Sequence, residues 1–358
     1  LTETCYALAG NLNCENAKAL EALKAYLIEV EKAKRFGFTD DEISRAKDDL
    51  IKHLKNKVDG ASTRKNPEFV YPIMNNFFNG YPYMTPETEL QIAQMLYGQF
   101  NAQVINQALP QFLTGIPTII YQGVDQPGQV HPTEAEVLAV LEEVKNADIQ
   151  PNKVEAINSD FMAGIKVKPG AVKKAVTGAY GATIWTLKNG LKVVVLPTEY
   201  KKDQVIFELT KKGGMSLVPT EDIASFDRTI AQVFDNNCGI ASYNSSTVSK
   251  MLTGKTVSVG TKITEARNGV SGHCAPEDIE TALQLMNLYF THPRFDAEEW
   301  KVSMDQINAI LPNMLSTPDY ALNVHLYKAL YDSPRRTAIS PETVEKANLE
   351  TYAKYYKQ

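Results

Sequence analysis

The five histidines are the first residues to consider for metal or acid–base chemistry: His53, His131, His273, His292 and His325. The closest pair, His273 and His292, lies nineteen residues apart, so neither zinc-binding pattern, H-x-x-E-H or H-E-x-x-H, occurs. Adjacent His273 and Cys274 could begin a metal site or a Cys–His pair. Neighbouring residues of a strand point to opposite faces, however, which favours a structural role for both.

Three further patterns approach known sites, and each has a simpler interpretation. The segment Gly269-Val-Ser-Gly272-His273 approaches the nucleophile elbow G-x-S-x-G, but a histidine stands where the last glycine is needed. Gly254-Lys255-Thr256 looks like the end of a phosphate-binding loop, but Ser249 occupies the position of its first glycine. Asn244-Ser-Ser246 fits a glycosylation acceptor, which is a short pattern that often occurs by chance. None of them predicts a catalytic site.

Composition excludes several classes of protein. The chain has 358 residues, of which 44% are apolar and 22% charged, as in an ordinary globular protein of two or three domains. The formal net charge of −5 and the lack of basic runs argue against a nucleic-acid partner. No apolar stretch approaches the ~20 residues of a membrane-spanning helix. The four cysteines are too few for a disulfide framework, so the cytoplasm and the cell envelope both stay open.

The elements that would position a site are clearest from Thr183 to Cys238. Two runs of β-branched and aliphatic residues flank Asn189-Gly190, which predicts a hairpin with a two-residue turn. Residues Gln204 to Thr210 alternate apolar and polar side chains, as in a strand with one buried face. A helix is expected next, over about residues 220 to 236.

This order of elements resembles the opening of a pitrilysin/insulinase-like (inverzincin) zinc metallopeptidase domain. In catalytic members the helix carries H-x-x-E-H, in which the histidines bind zinc and the glutamate activates the metal-bound water. The resemblance places Ser225, Arg228 and Thr229 at those three positions. Hydroxyls are weak neutral ligands and arginine is a permanent cation, so this segment is expected to have no metal ligand and no catalytic residue. The sequence does not identify substrate-binding residues.

The resemblance, which is good over residues 181–358 and moderate over residues 17–122, also predicts the domains. Residues 1–123 are expected to form a partial C-terminal peptidase-like domain of an upstream catalytic half, with strands over 6–13 and 117–122. Residues 124–180 would be an inter-half linker with one helix, and residues 181–358 the inactive peptidase-like domain. The predicted fold class is α+β, an α/β sandwich with antiparallel-rich mixed sheets covered by helices. Because the chain begins with Leu1 rather than Met, it is expected to be a piece of a longer polypeptide.

Two functions follow from the resemblance. The first is the non-catalytic segment of a zinc metalloendopeptidase, forming part of the peptide-binding chamber opposite the catalytic half. Its partners would be the upstream half of the same polypeptide and a peptide substrate, and zinc would be bound by the upstream half alone. The alternative is a structural or assembly subunit that keeps the peptidase fold without proteolysis. An H-x-x-E-H motif encoded upstream of Leu1 would discriminate them, since only the first function requires it.

Overall fold

The computed structural model describes residues 9–113, 117–123, 128–152, 160–168 and 170–357. In the first part of the chain the regular elements are helices, and six α-helices lie within residues 9–152: α1 (Ala19–Phe36), α2 (Asp40–Asp59), α3 (Pro67–Asn79), α4 (Pro86–Tyr97), α5 (Ala102–Phe112) and α6 (Glu134–Asn146). The start of α2 is fixed by the predicted capping box. The Glu42 amide donates to Thr39 Oγ1 at 3.2 Å, and the Thr39 amide donates to Glu42 Oε2 at 2.8 Å.

The strand predicted over residues 117–122 is wrong, because residues 117–123 have no regular secondary structure. A strand needs a neighbour to accept and donate its backbone hydrogen bonds, and no strand lies among the described residues 9–152. Of the other predicted strand, residues 9–13 are irregular and residues 6–8 lie outside the described residues. The helices of the first part are therefore a layer without a sheet among the described residues.

The helix expected in the linker region is α6, and it packs against α1. Leu27 of α1 shares a buried core with Val140 and Val144 of α6. The Arg35 guanidinium of α1 donates to the carbonyl oxygens of Lys145 and Ala147, both at 2.7 Å, beside the C-terminal end of α6. These bonds satisfy carbonyl groups that a helix end leaves unpaired. The domain boundaries at 123 and 180 stay predictions.

The second part, described over residues 170–357, contains two three-stranded sheets and seven α-helices. The strands are β1 (Val172–Thr177), β2 (Thr183–Leu187), β3 (Lys192–Val195), β4 (Val205–Lys212), β5 (Val257–Ile263) and β6 (Arg267–Cys274). The helices are α7 (Arg228–Asn237), α8 (Ser245–Met251), α9 (Ile279–Thr291), α10 (Ala297–Leu315), α11 (Pro318–Tyr331), α12 (Pro341–Lys346) and α13 (Leu349–Tyr356). The sheet orders are β1-β2-β3 and β4-β6-β5, and every strand pair in the described part of the chain is antiparallel. The predicted α+β class is confirmed.

The predicted hairpin exists, but its loop has three residues rather than two. The Leu187 amide donates to the Leu191 carbonyl at 2.8 Å, and the Gly190 amide donates to the Leu187 carbonyl at 3.0 Å. Gly190 has a φ of 89°, whereas Asn189 does not have a positive φ. This is a turn followed by one left-handed glycine, a common hairpin loop whose glycine avoids the strain of a side chain there.

The β4-β6-β5 sheet has the expected buried face. Leu209 of β4 pairs with Val270 of β6, which is buried, and so lies on the same face of the sheet. Ile206 points the other way and is exposed. Helix α9 covers β5 and β6 on the buried face, where Leu285 and Leu288 enter a common core.

A second core joins α7, α10 and α13. Tyr352 of α13 stacks on Phe226 with ring centroids 4.9 Å apart, and meets Phe234 of α7 edge-on at 5.4 Å. Trp300 and Ile307 of α10 complete this cluster. Aromatic side chains bury large apolar areas, so this core fixes the segment that precedes and begins α7.

Helix α2 connects the first part of the chain to the second. The Lys52 ammonium lies 2.8 Å from Asp278 Oδ2 and also pairs with Glu277, just before α9. Asn56 Nδ2 donates to Thr256 Oγ1 at 2.6 Å. In the described ranges, no helix is long and apolar enough to cross a membrane.

Candidate functional site

The segment at the positions of the zinc motif does not form one continuous α-helix. A 3-10 helix covers Thr220–Phe226, and α7 begins only at Arg228. Between them, Asp227 caps α7, because its Oδ1 accepts the amides of Thr229 at 2.8 Å and Ile230 at 3.4 Å. The expectation of a helix over 220 to 236 is wrong at its start.

This break changes how the three candidate positions relate to one another. Ser225 belongs to the 3-10 helix, whereas Arg228 and Thr229 lie in the first turn of α7. Side chains four residues apart share a face only within a single α-helix. Ser225 and Thr229 therefore do not have the relation that two zinc ligands on one helix require.

The three candidate side chains differ in their burial and in their hydrogen bonds. Ser225 is 1% exposed, and its Oγ accepts the amide of Asn348 at 3.1 Å, which ties the 3-10 helix to the start of α13. Arg228 is exposed and Thr229 is half-buried. Burial raises the pKa of the neighbouring Asp227 carboxyl, although the hydrogen bonds from Thr229 and Ile230 oppose this shift.

A buried carboxyl that the sequence analysis missed lies two turns further along α7. Asp235 accepts hydrogen bonds from the hydroxyls of Thr261 on β5 and Tyr352 on α13, the second at 3.4 Å. Desolvation raises the pKa of this carboxyl to about 7, against the opposing effect of the Tyr352 hydrogen bond. One sequence signal could have indicated this burial. Asp235 lies four residues after Ala231, so the two share a helix face, and both Ala231 and the adjacent Phe234 pack in the core.

The groups around Asp235 are neutral at ordinary pH. Burial, together with the charges of Asp235 and Glu299, raises the pKa of the Cys238 thiol to about 12. Burial also raises the pKa values of the Tyr289 and Tyr356 hydroxyls. No lysine or arginine forms an ion pair with Asp235 in the described part of the chain. A lone carboxyl among hydroxyls and a thiol can take up or release one proton.

No set of metal ligands converges among the residues that the structure describes. Nowhere in the described ranges do three or more histidine, cysteine, aspartate or glutamate side chains form a group that could hold a metal ion. The acidic stretch from Glu298 to Asp305 was the remaining place to look for a ligand. Glu299 instead pairs with Arg294 at 3.0 Å and accepts the Gly239 amide at 3.2 Å.

The near-miss motifs also have structural roles. His273 is exposed and Cys274 is buried, so the two side chains lie on opposite faces of β6. Gly254 follows α8 in a turn, where its amide donates to Asp49 Oδ1 at 2.6 Å. Ser249 lies within α8.

Comparison with known proteins adds a relationship that the site alone does not give. No family model matches the chain. Over 334 residues the chain is 21% identical to the probable zinc protease PqqL of Escherichia coli (strain K12), a match that covers 90% of this chain and 35% of that protein. The structure also superposes on a mutant of the ferredoxin protease FusC, in complex with Arabidopsis ferredoxin, with a TM-score of 0.51 and 16% identity, covering 97% of this chain and 38% of that one. The periplasmic protease PqqL from E. coli gives a TM-score of 0.49 and 17% identity over 94% of this chain and 37% of that one.

The sequence match to PqqL confirms the predicted resemblance to the pitrilysin/insulinase-like peptidases, and the superposition on FusC shows that the fold is shared. The chain is a peptidase-like segment with the α+β fold of such proteins. More narrowly, it is similar to part of PqqL and spans only about a third of the length of that curated relative.

Proposed function

We propose that the chain is the non-catalytic segment of a zinc metalloendopeptidase. In this proposal, residues 181–358 form part of the wall of a peptide-binding chamber, opposite a catalytic half supplied by the rest of a longer polypeptide. Zinc, the activated water and the general base belong to that other half. Peptide is the substrate, and the upstream half is the partner.

The observation that carries this proposal is the environment of the three positions that replace the zinc motif. The Ser225 hydroxyl is buried and already accepts a backbone amide, so it is not available to a metal ion. The Arg228 guanidinium would repel a divalent cation, and a threonine hydroxyl such as that of Thr229 is a weak ligand. A catalytic zinc site needs three protein ligands and an open position for water. These residues provide neither.

A large apolar surface supports the presence of a partner. Helix α3 has no buried residue, and Glu68 is its one charged residue. Phe77 and Phe78 are 79% and 67% exposed. We name as the α3 surface the exposed apolar residues of this helix and the turn after it: Val70, Tyr71, Ile73, Met74, Phe77, Phe78, Tyr81 and Tyr83.

A helix that is apolar on most of its circumference is normally buried inside a protein. Burial of an exposed phenylalanine side chain contributes roughly 1.5–3 kcal/mol, so Phe77 and Phe78 alone could anchor a partner. The helical layer of the first part also has no sheet among the described residues, and domains are normally built from paired layers. We propose that the remainder of the upstream half, to which residues 1–123 would belong, covers the α3 surface.

The test is reconstitution of activity from two separate polypeptides. The chain is mixed with an upstream half that carries H-x-x-E-H, and zinc-dependent cleavage of a fluorogenic peptide is measured. We expect cleavage by the mixture and none by the chain alone. The double variant Phe77→Ser/Phe78→Ser should lose at least ten-fold in affinity for the upstream half. Tyr200→Ser, at an exposed aromatic residue that is not part of the α3 surface, is the matched control and should have no effect.

Cleavage by the chain alone, or stoichiometric metal bound to it, would contradict the proposal. The α3 surface would equally suit a structural or assembly subunit, which is the second candidate function. That alternative is favoured if the polypeptide encoded upstream contains no H-x-x-E-H motif, or if an intact complex with a bound partner cleaves no peptide.

A further inference from the structure

The β1-β2-β3 sheet is exposed to solvent on both of its faces. All six residues of β1 are exposed. Trp185 of β2 and Val194 of β3 are also exposed, and their positions in the register place them on opposite faces of the sheet. A small antiparallel sheet is normally stable only when one face packs against another layer of structure. This sheet therefore presents a surface that a partner can cover.

The segment that contains this sheet carries a concentrated positive charge. Residues 166–212 include ten lysines, no arginine and three acidic residues, which gives a formal charge of +7, whereas the other residues of the chain together carry −12. The sheet itself, residues 172–195, has four lysines and no aspartate or glutamate. Two of the three acidic residues, Asp203 and Glu208, already form ion pairs. The sheet thus lacks negative charges of its own to balance its lysines.

Two of the lysines lie in one row across the sheet. Lys174 of β1 pairs in register with Thr186 of β2, and Thr186 pairs with Lys192 of β3. Paired residues of antiparallel strands project from the same face, and neighbouring strands are about 4.8 Å apart, so the two lysines flank Thr186. Both are exposed, and neither forms an ion pair with a residue that the structure describes. A carboxylate placed above Thr186 would lie between two ammonium groups.

An apolar row lies beside this basic row on the same face. Val176, Ile184 and Val194 pair across the three strands, two residues along each strand from the basic row. Val194 is 62% exposed. We name the face that carries these two rows the lysine–valine face. Two residues of an extended chain span about 6.6 Å, so a peptide that lies along β2 would place one side chain on each row.

We propose that the lysine–valine face binds an extended acidic peptide, in which a carboxylate residue and an aliphatic residue stand two positions apart. At physiological ionic strength a short peptide senses charges within about 8 Å, so it is attracted by the lysines of the sheet. An anionic membrane or a nucleic acid would extend over the remainder of the chain and be repelled by its charge of −12. The inference rests on the proposed function in naming peptide as the ligand, and it adds the charge of that peptide.

The first experiment titrates the whole isotope-labelled chain with three peptides, followed by nuclear magnetic resonance. Each peptide is acetylated and amidated, so that its ends carry no charge. Ser-Glu-Ser-Val-Ser has both features, Ser-Gln-Ser-Val-Ser lacks the carboxylate, and Ser-Glu-Ser-Ser-Ser lacks the aliphatic side chain. We expect the first to bind about five-fold more tightly than either of the others, with shift changes at the amides of Lys174, Thr186 and Lys192.

Each departure from this order has a definite meaning. Equal binding of the glutamine peptide would refute the role of the lysines. Equal binding of the peptide without valine would refute the role of the apolar row. Absence of binding by all three peptides, or shift changes confined to other parts of the chain, would overturn the proposal.

The second experiment uses variants, with Ser-Glu-Ser-Val-Ser as the probe and circular dichroism to confirm folding. The double variant Lys174→Gln/Lys192→Gln should weaken binding about five-fold, whereas Lys202→Gln, at an exposed lysine outside the sheet, controls for loss of positive charge. Val194→Ser should weaken binding about three-fold. Val195→Ser is its matched control, because Val195 is the next residue of β3 and lies on the opposite face. Controls that weaken binding as much as the test variants would refute the site.

Two further measurements test other occupants of the lysine–valine face. Sedimentation of the chain with phosphatidylserine vesicles, lost in the double lysine variant and unaccompanied by peptide binding, would identify a lipid surface instead. A dimer in analytical ultracentrifugation that Val194→Ser dissociates would identify a second copy of the chain. Either result would overturn the proposal.

The inference and the proposed function fail in different ways. If reconstitution of cleavage succeeds and no peptide binds to the chain, the lysine–valine face is refuted and the proposed function stands. If the acidic peptide binds as expected while reconstitution fails, the reverse holds.

Discussion

Replacement of the buried Asp235 by asparagine should make the protein more stable at pH 8 and leave its stability near pH 4 unchanged. Asparagine has nearly the same shape as aspartate. Thr261 and Tyr352 donate to different oxygens of Asp235, so the asparagine carbonyl oxygen can accept one of these bonds while its NH2 group donates to the other hydroxyl. The hydroxyl and thiol groups around Asp235 come from β5, α9, α13 and the residue after α7: Cys238, Thr261, Tyr289, Tyr352 and Tyr356. Arg294 lines the same small cavity, but its guanidinium forms ion pairs with Asp296 and Glu299 rather than with Asp235.

The magnitude follows from the shifted pKa. Burial raises the pKa of Asp235 from its ordinary value of 3.8 to about 7 in the folded protein. The folded state therefore holds a proton that the unfolded chain has released between these two pH values. Stability due to the neutral carboxyl is fully present below about pH 3.8, decreases as the pH rises, and is lost once the pH passes about 7. The difference between a pKa of 3.8 and one of about 7 corresponds to ~4 kcal/mol.

The assay is urea unfolding, followed by far-ultraviolet circular dichroism from pH 4 to pH 8.5. The difference in unfolding free energy between Asp235→Asn and the wild type should rise from near zero at pH 4 to about 4 kcal/mol at pH 8. Asp48→Asn, at an exposed position within α2, controls for loss of one negative charge and should show no such trend. A difference that does not vary with pH, or a less stable variant at pH 8, would refute the reasoning.

Four further predictions concern stability and reactivity. Asn268→Leu should raise the free energy of unfolding, measured by urea titration, by about 1 kcal/mol, because it removes a buried acceptor that has no hydrogen-bond partner. Arg335→Met should lower stability by about 2–3 kcal/mol, since the guanidinium donates three hydrogen bonds to the segment before α7. Gly214→Ala should prevent stable folding, because the added Cβ would collide with the backbone oxygen of Thr264. At Gly190 the added Cβ would meet open space, so Gly190→Ala should lower the free energy of unfolding by only about 1 kcal/mol, measured by thermal unfolding. Cys238, whose pKa is raised to about 12, should react with thiol reagents at pH 8 only after urea is added.

Features that depend on near neighbours in sequence could be predicted. The Asn189-Gly190 hairpin, the alternation of β4 and the capping box at Thr39 all follow from rules that act over a few residues. Even so, the hairpin loop has one residue more than predicted. The sequence identified the glycine, but the choice between two common loop types depends on how the strands pair.

Features that depend on distant contacts could not be predicted. A strand over residues 117–122 needs a neighbouring strand, and its side-chain pattern does not reveal whether one is present. The break before α7 was visible as a good capping residue at Asp227, but the apolar periodicity on both sides concealed it. Burial of Asp235 arises because α13 closes over α7, more than a hundred residues later in the chain.

The way in which the segment before α7 is held bears on how a peptidase fold can persist without metal ligands at the proposed positions. In a catalytic domain of the related family, a zinc ion would link the motif helix to the rest of its site. Here Ser225 bonds to the backbone at the start of α13, and the adjacent Phe226 stacks on Tyr352 of that helix. These contacts lie in a buried aromatic core, so they can hold the segment in place without a bound ion. In the proposed function, this core gives the chamber wall a fixed shape, while the chemistry depends on the other half.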